Sequence, residues 1–181
     1  MNTTPNTTPN TTTIATMHTT SVPVFKQLLG GLSDVLTKAE AHAVLKKIDA
    51  SVLLQARLYP DMFALGQQVQ VACDFAASVS ARLAGVAVPT FDFNAETFAD
   101  LHARINAVVA FISDLSPAAF EGGATRDIVL RAGTPKEKRL SGQAYLSNYG
   151  MPQFFFHVTT AYAVLRHSGV DVGKKDYMGA Y

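Results

Sequence analysis

Between Met62 and Leu83 apolar residues recur in alternating steps of three and four, at Met62, Leu65, Val69, Ala72, Ala76, Val79 and Leu83, and Gly85 follows. That spacing keeps to one face of an α-helix of about 3.6 residues per turn, so this stretch predicts a long helix that must bury its stripe against others. Pro60, tolerated in a first turn, is read as its start and Gly85 as the residue just past its end. Two more stripes have the same period. Phe25, Leu28, Leu29, Leu32, Val35, Leu36 and Ala39 mark a helix from Val24 to Lys46 and Lys47. Phe98, Leu101, Ile105, Val108, Ile112 and Leu115 mark another, with Asn94 as its expected N-cap and Ser116-Pro117 as its stop. Between the first two, Asp49 is placed to cap a short helical piece through about Leu58.

The C-terminal third changes character before it returns to helix. Asp127 to Arg131 is short, alternating and β-branched, and Ala132-Gly133-Thr134-Pro135 is turn chemistry, so a hairpin with Lys136 to Leu140 is expected. Ser141 then caps a last helix running to about His167, whose apolar and aromatic residues go all round it. It is therefore expected to be the most buried of the four, with a kink where Gly150 and Pro152 interrupt it, because proline lacks a backbone donor. Four long helices define an all-α fold, an antiparallel four-helix bundle with a small β-hairpin before its last helix.

Composition narrows what such a bundle does. The chain has 181 residues with 15 Lys and Arg against 14 Asp and Glu, too balanced for a nucleic-acid face, and 48% hydrophobic residues, enough for one core. A single cysteine excludes an intrachain disulfide and a Cys-rich zinc site. Residues 1–22 contain no Lys, Arg, Asp or Glu, and Asn-Thr-Thr-Pro recurs in them, so they are expected to form a disordered tail, with residues 23–181 as the domain and Met17 as a candidate alternative start. No apolar run approaches the roughly 18 to 20 residues of a membrane span, and the N-terminus has neither a basic nor an apolar signal region. A cytoplasmic protein with no membrane or nucleic-acid partner is the expectation.

Catalytic motifs fail on spacing. Gly169 to Lys174 is one residue short of a phosphate-cradling loop, no serine sits in a Gly-x-Ser-x-Gly turn, and Cys73 lies inside a helix with no base beside it. None of His42, His102, His157 and His167 has a strong ligand one turn away on its own helix. His157 stands apart, being on the aromatic helix just after the interruption, with Gln153 one turn back. On the facing helix the polar positions considered are Gln67, Gln70 and Asp74. If Gln70 and Asp74 meet His157, an Asp-His contact would raise the imidazole pKa and poise a general base. Tyr149 and Tyr162 would supply an aromatic wall, although the aromatic cluster reads most simply as core.

Several blocks resemble one bacterial family. They are Ser21-Val-Pro-Val-Phe-Lys-Gln-Leu-Leu, Leu58-Tyr-Pro-Asp-Met-Phe, Gln68-Val-Gln-Val-Ala-Cys-Asp-Phe, Pro152-Gln-Phe-Phe-Phe-His-Val-Thr-Thr-Ala-Tyr-Ala-Val-Leu-Arg and Gly173-Lys-Lys-Asp-Tyr-Met-Gly. Together they are similar to domain-of-unknown-function family 1993, over about residues 17 to 181, within the DinB-like and YfiT-like helical bundles. The resemblance implies a dimer and a superfamily of metalloenzymes and thiol-dependent transferases, whose metal is held by one histidine on the second helix and a His-x-x-x-His pair on the last. Aligned on Gly85 and Leu165-Arg166, those ligand positions fall near Gln70, Gln153 and His157. Only His157 keeps the ligand type, and amide oxygens are poor ligands for zinc.

The expectation is accordingly a non-metal, cofactor-free homodimeric bundle that binds a small molecule between its second and last helices. His157, Gln153, Gln70 and Asp74 would provide hydrogen bonds there, with Tyr149 and Tyr162 alongside. The alternatives are a metal-dependent enzyme of the superfamily type with a degenerate site, Asp74 substituting as ligand, and a structural or interaction module.

Overall fold

The structure, a computed structural model, describes residues 16–92 and 96–181. Four long helices, α1 (Val22–Lys46), α3 (Leu65–Ala84), α4 (Phe98–Asp114) and α6 (Met151–His167), form a bundle; α2 (Ala50–Leu54), α5 (Gly142–Tyr145) and α7 (Lys174–Met178) are short. A two-stranded antiparallel hairpin, β1 (Asp127–Leu130) and β2 (Lys138–Ser141), pairs Asp127 with Ser141 and Leu130 with Lys138. Around the bundle each of α1 and α3 packs on both α4 and α6, so α1 faces α3 across the diagonal. The links are not short: each of the two carrying α2 or the hairpin is long enough to cross the bundle, which is why consecutive long helices need not be neighbours. No helix among the described residues is long and apolar enough to cross a membrane.

Most element boundaries follow local chemistry. Asp49 accepts a hydrogen bond from the Ser51 amide at 2.8 Å and caps α2, which ends at Leu54 rather than near Leu58. Gly85 closes α3 in the left-handed conformation, φ 73°. α4 begins at Phe98, where Thr97 and Asp100 satisfy each other's amides at 3.0 Å in a capping box; Asn94, the expected cap, lies outside the described residues.

Two expectations are overturned. Pro60 does not open α3. Tyr59, Pro60, Asp61 and Met62 make a turn closed by the Met62 amide on the Tyr59 carbonyl at 3.0 Å, with proline in the position whose φ it fixes. Arg57 ties this loop down by donating to the carbonyls of Pro60 and Met62, and α3 starts only at Leu65. Residues 1–15 lie outside the described residues; Met17 is in the core and the His18 ring packs edge-on against Phe120. Finally α3, not α6, is the most buried helix, because Phe155 and Phe156 of α6 are exposed, at 38% and 54%.

The interruption of the last helix is a π-helical turn, Leu146–Gly150, rather than a break. The Met151 amide reaches back to the Leu146 carbonyl and the backbone stays helical through it. Pro152 follows in the first turn of α6. Gly150 has ordinary helical backbone angles and is needed for contact, since a Cβ there would lie 2.7 Å from a Val79 methyl on α3.

Candidate functional site

α3 runs antiparallel to α6 and to the α5 and π-helical turns that precede it, and a row of rings lies along the contact. Tyr145 stacks on Tyr149 (5.8 Å between centroids), Tyr149 meets Phe75 edge-on (5.9 Å), and Phe75 lies parallel to the His157 imidazole (6.0 Å). Phe63, from the loop before α3, is also parallel to that imidazole at 6.3 Å, and Phe156 meets it edge-on at 5.2 Å. Offset and edge-on arrangements match the charge distribution of aromatic faces and edges.

At the inner end of the row the polar atoms are paired. Arg82 donates to the Tyr145 hydroxyl at 3.1 Å, and burial raises the Tyr145 pKa, an effect the Arg82 charge opposes. At the outer end His157 is 7% exposed, and its Nδ1 lies 2.7 Å from Gln68 Oε1. The Gln68 amide nitrogen donates to the Phe63 carbonyl at 3.1 Å, which fixes which end of that amide faces the imidazole. The Oε1 therefore accepts, Nδ1 carries the proton, and Nε2 holds a lone pair. Nε2 has no partner among the described residues and is not sealed from solvent. The His157 side chain belongs to the lining of a groove of about 190 Å³, with Asp61, Met62, Phe63, Gln68 and Phe156. Burial lowers the His157 pKa below its usual 6.5, which favours the neutral ring.

The six residues expected at the site are not all brought together. His157 is at its centre and Tyr149 is two rings away in the row. Asp74 instead pairs with Arg104 of α4, a buried guanidinium that also donates to the Phe91 carbonyl, so the Asp-His contact and the raised imidazole pKa it would bring are absent. Gln70, two residues from Gln68 and thus about 200° round the helix, takes no part in the His157 hydrogen bond. Gln153 is half-buried without a hydrogen bond among the described residues, and Tyr162 packs edge-on against Tyr177 of α7 at 5.8 Å.

Gln68 is the residue missed, and a signal for it exists. It sits three after Leu65 and four before Ala72, so an amide occupies a stripe whose other buried polar residue is the small Ser80. A polar residue inside a seam needs a partner, and the facing helix offers one imidazole. Cys73, by contrast, behaves as the sequence implies: it is buried, and desolvation pushes its thiol up to about 12.

The donor set does not suit a tightly held transition metal. Of the three positions that the resemblance gives to metal ligands, two are the amides Gln70 and Gln153 and only His157 keeps a ligand type, and among the described residues no three His, Cys, Asp or Glu side chains converge.

A helical bundle with a small hairpin before its last long helix is a fold this chain shares with a DinB family member. A crystal structure of a DinB family member protein from Shewanella denitrificans is 42% identical with a TM-score of 0.85, covering 91% of this chain and 92% of that one. The family model for a domain of unknown function, DUF1993, matches residues 17–178, and the chain belongs to that family. No curated protein matches it.

Proposed function

We propose that the protein binds a small organic molecule in the groove at His157, between the 61–63 loop and α6, without a tightly held metal. One observation carries this reading: an imidazole locked by Gln68 in the Nδ1-protonated form, with the Nε2 lone pair left over at a groove walled by Phe63 and Phe156. Gln68 satisfies one ring nitrogen, and the other is left to solvent or to a ligand. Met62 and Phe156 also border a second recess of about 440 Å³, lined by Leu58, Pro152, Phe155, Thr159, Thr160 and Ala163. Together the two lobes give the mostly apolar, sparsely polar lining typical of small-molecule sites.

Titration of isotope-labelled protein with benzyl alcohol at millimolar concentration tests it. The His157, Phe156 and Met62 side-chain signals should move together and saturate. A folded protein whose groove signals stay fixed would remove the reading, and a full equivalent of metal, lost in His157→Ala, would replace it with the metal-dependent one.

A homodimeric, cytoplasmic protein completes the proposal. Val44, Leu45 and Val52, exposed by 58–78% where α1 turns into α2, supply apolar surface for a second copy and line neither lobe of the site. A monomer by light scattering at micromolar concentration would remove the dimer and leave the binding site untouched.

A further inference from the structure

We infer that the His157 groove takes an amphiphilic amine as its ammonium ion, with the charged head between Asp61 and His157 and the apolar body in the adjoining recess under Pro152 and Phe155. This rests on the groove being a ligand site and adds what kind of ligand it selects.

The polar inventory of the smaller lobe is one-sided. Gln68 is 1% exposed, with its oxygen on His157 and its nitrogen on the Phe63 carbonyl, so it offers little to a visitor. What remains is the Nε2 lone pair, which accepts, and the Asp61 carboxylate, which accepts and is negatively charged. Asp61 is exposed and has no ion-pair partner among the described residues. Arg57, the cation bound to the same loop, points its guanidinium at the Pro60 and Met62 carbonyls and lines neither lobe. The walls are two phenyl rings, Phe63 and Phe156, whose faces carry the negative part of the aromatic quadrupole.

Two acceptors and a net negative charge between aromatic walls favour a cation that donates hydrogen bonds. An anion or a neutral acceptor would meet unpaired lone pairs instead. A primary ammonium has three N–H donors, enough for both Nε2 and the carboxylate with one left for water. A fully substituted ammonium would keep the ring attraction but lose both hydrogen bonds. The second recess sets the remainder of the molecule: apart from the hydroxyls of Thr159 and Thr160 its lining is apolar, and it meets the first lobe at Met62 and Phe156. A head of one or two carbons in the first lobe therefore leads into a ring or short alkyl chain in the second.

Three probes of one shape separate the possibilities: phenethylamine, protonated at pH 7.5, neutral 2-phenylethanol, and anionic 3-phenylpropionate. Each is titrated into the full chain while the groove side chains are followed by NMR. The ammonium should bind about tenfold or more tightly than the alcohol, the anion should be weakest, and D61N, at an exposed position, should erase the ammonium's advantage while leaving the alcohol unchanged. Equal or tighter binding of alcohol or anion, or an ammonium preference that survives D61N, overturns the ligand class and leaves the groove as a site. If none of the three moves the groove signals, the binding site itself is wrong.

Discussion

The two ends of the aromatic row between α3 and α6 use similar residues to opposite effect. At Tyr145 the ring is fully buried and its hydroxyl takes a hydrogen bond from Arg82, so the polar group is satisfied within the protein. At His157 the ring is nearly as enclosed, but only one of its two nitrogens is satisfied. A tyrosine hydroxyl or an imidazole in a core each needs partners, and the difference lies in how many the fold provides. The first end is an anchor. The second holds an unused lone pair against a groove, and that surplus gives the molecule a candidate site.

The contrast breaks most visibly at the anchor. Tyr145→Ala should cost about 3–5 kcal/mol in urea denaturation, as expected for deleting a fully buried ring, and a loss below about 2 kcal/mol would mean that this end is not the packed one. Gln68→Leu should cost less, about 1–3 kcal/mol, because it leaves the His157 Nδ1–H and the Phe63 carbonyl without their partner. Its more telling readout is nitrogen NMR of the imidazole: the native protein should hold the Nδ1-protonated tautomer, and the variant should lose that preference. An unchanged tautomer would show that something other than Gln68 orients the ring.

The smallest effect is in pH. The folded state holds the His157 proton less tightly than the unfolded chain, so the unfolded state binds more protons once pH falls to the ordinary value near 6.5. Stability from this group is full above that value and declines as pH drops from there toward the lower folded-state pKa. The urea midpoint should fall between pH 8 and pH 5.5 by more in the native protein than in His157→Gln. Equal slopes would place the imidazole in a less desolvated setting than its surroundings describe.

How much of this was legible in the sequence depends on the range over which each feature is decided. The stripes of α1, α3 and α4, the Asp49 and Ser141 caps, the Gly85 terminus and the hairpin are set by residues within a turn or two of one another, and they stand close to where the pattern puts them. Pro60 failed as a helix start because proline suits the second position of a turn as well as the first turn of a helix, and the Arg57 clasp on the loop carbonyls accompanies the turn. The burial of α6 was overestimated because apolar residues all round a helix require cover on every side, while Phe155 and Phe156 lie on the side left open.

By itself the sequence determined the helical class, the family and the choice of His157, since periodicity and the placing of one histidine on an aromatic helix are properties of the chain. Only the tertiary structure decided the company that histidine keeps. Gln68 is 89 positions away, and its selection over Gln70 and Asp74 depends on how α3 is rotated about its own axis. Burying Leu65, Val69, Ala72 and Ala76 sets that rotation, which turns Gln68 inward and leaves Asp74 to Arg104. The orientation of the Gln68 amide, and with it the lone pair at the groove, then depends on where the 59–64 loop brings the Phe63 carbonyl.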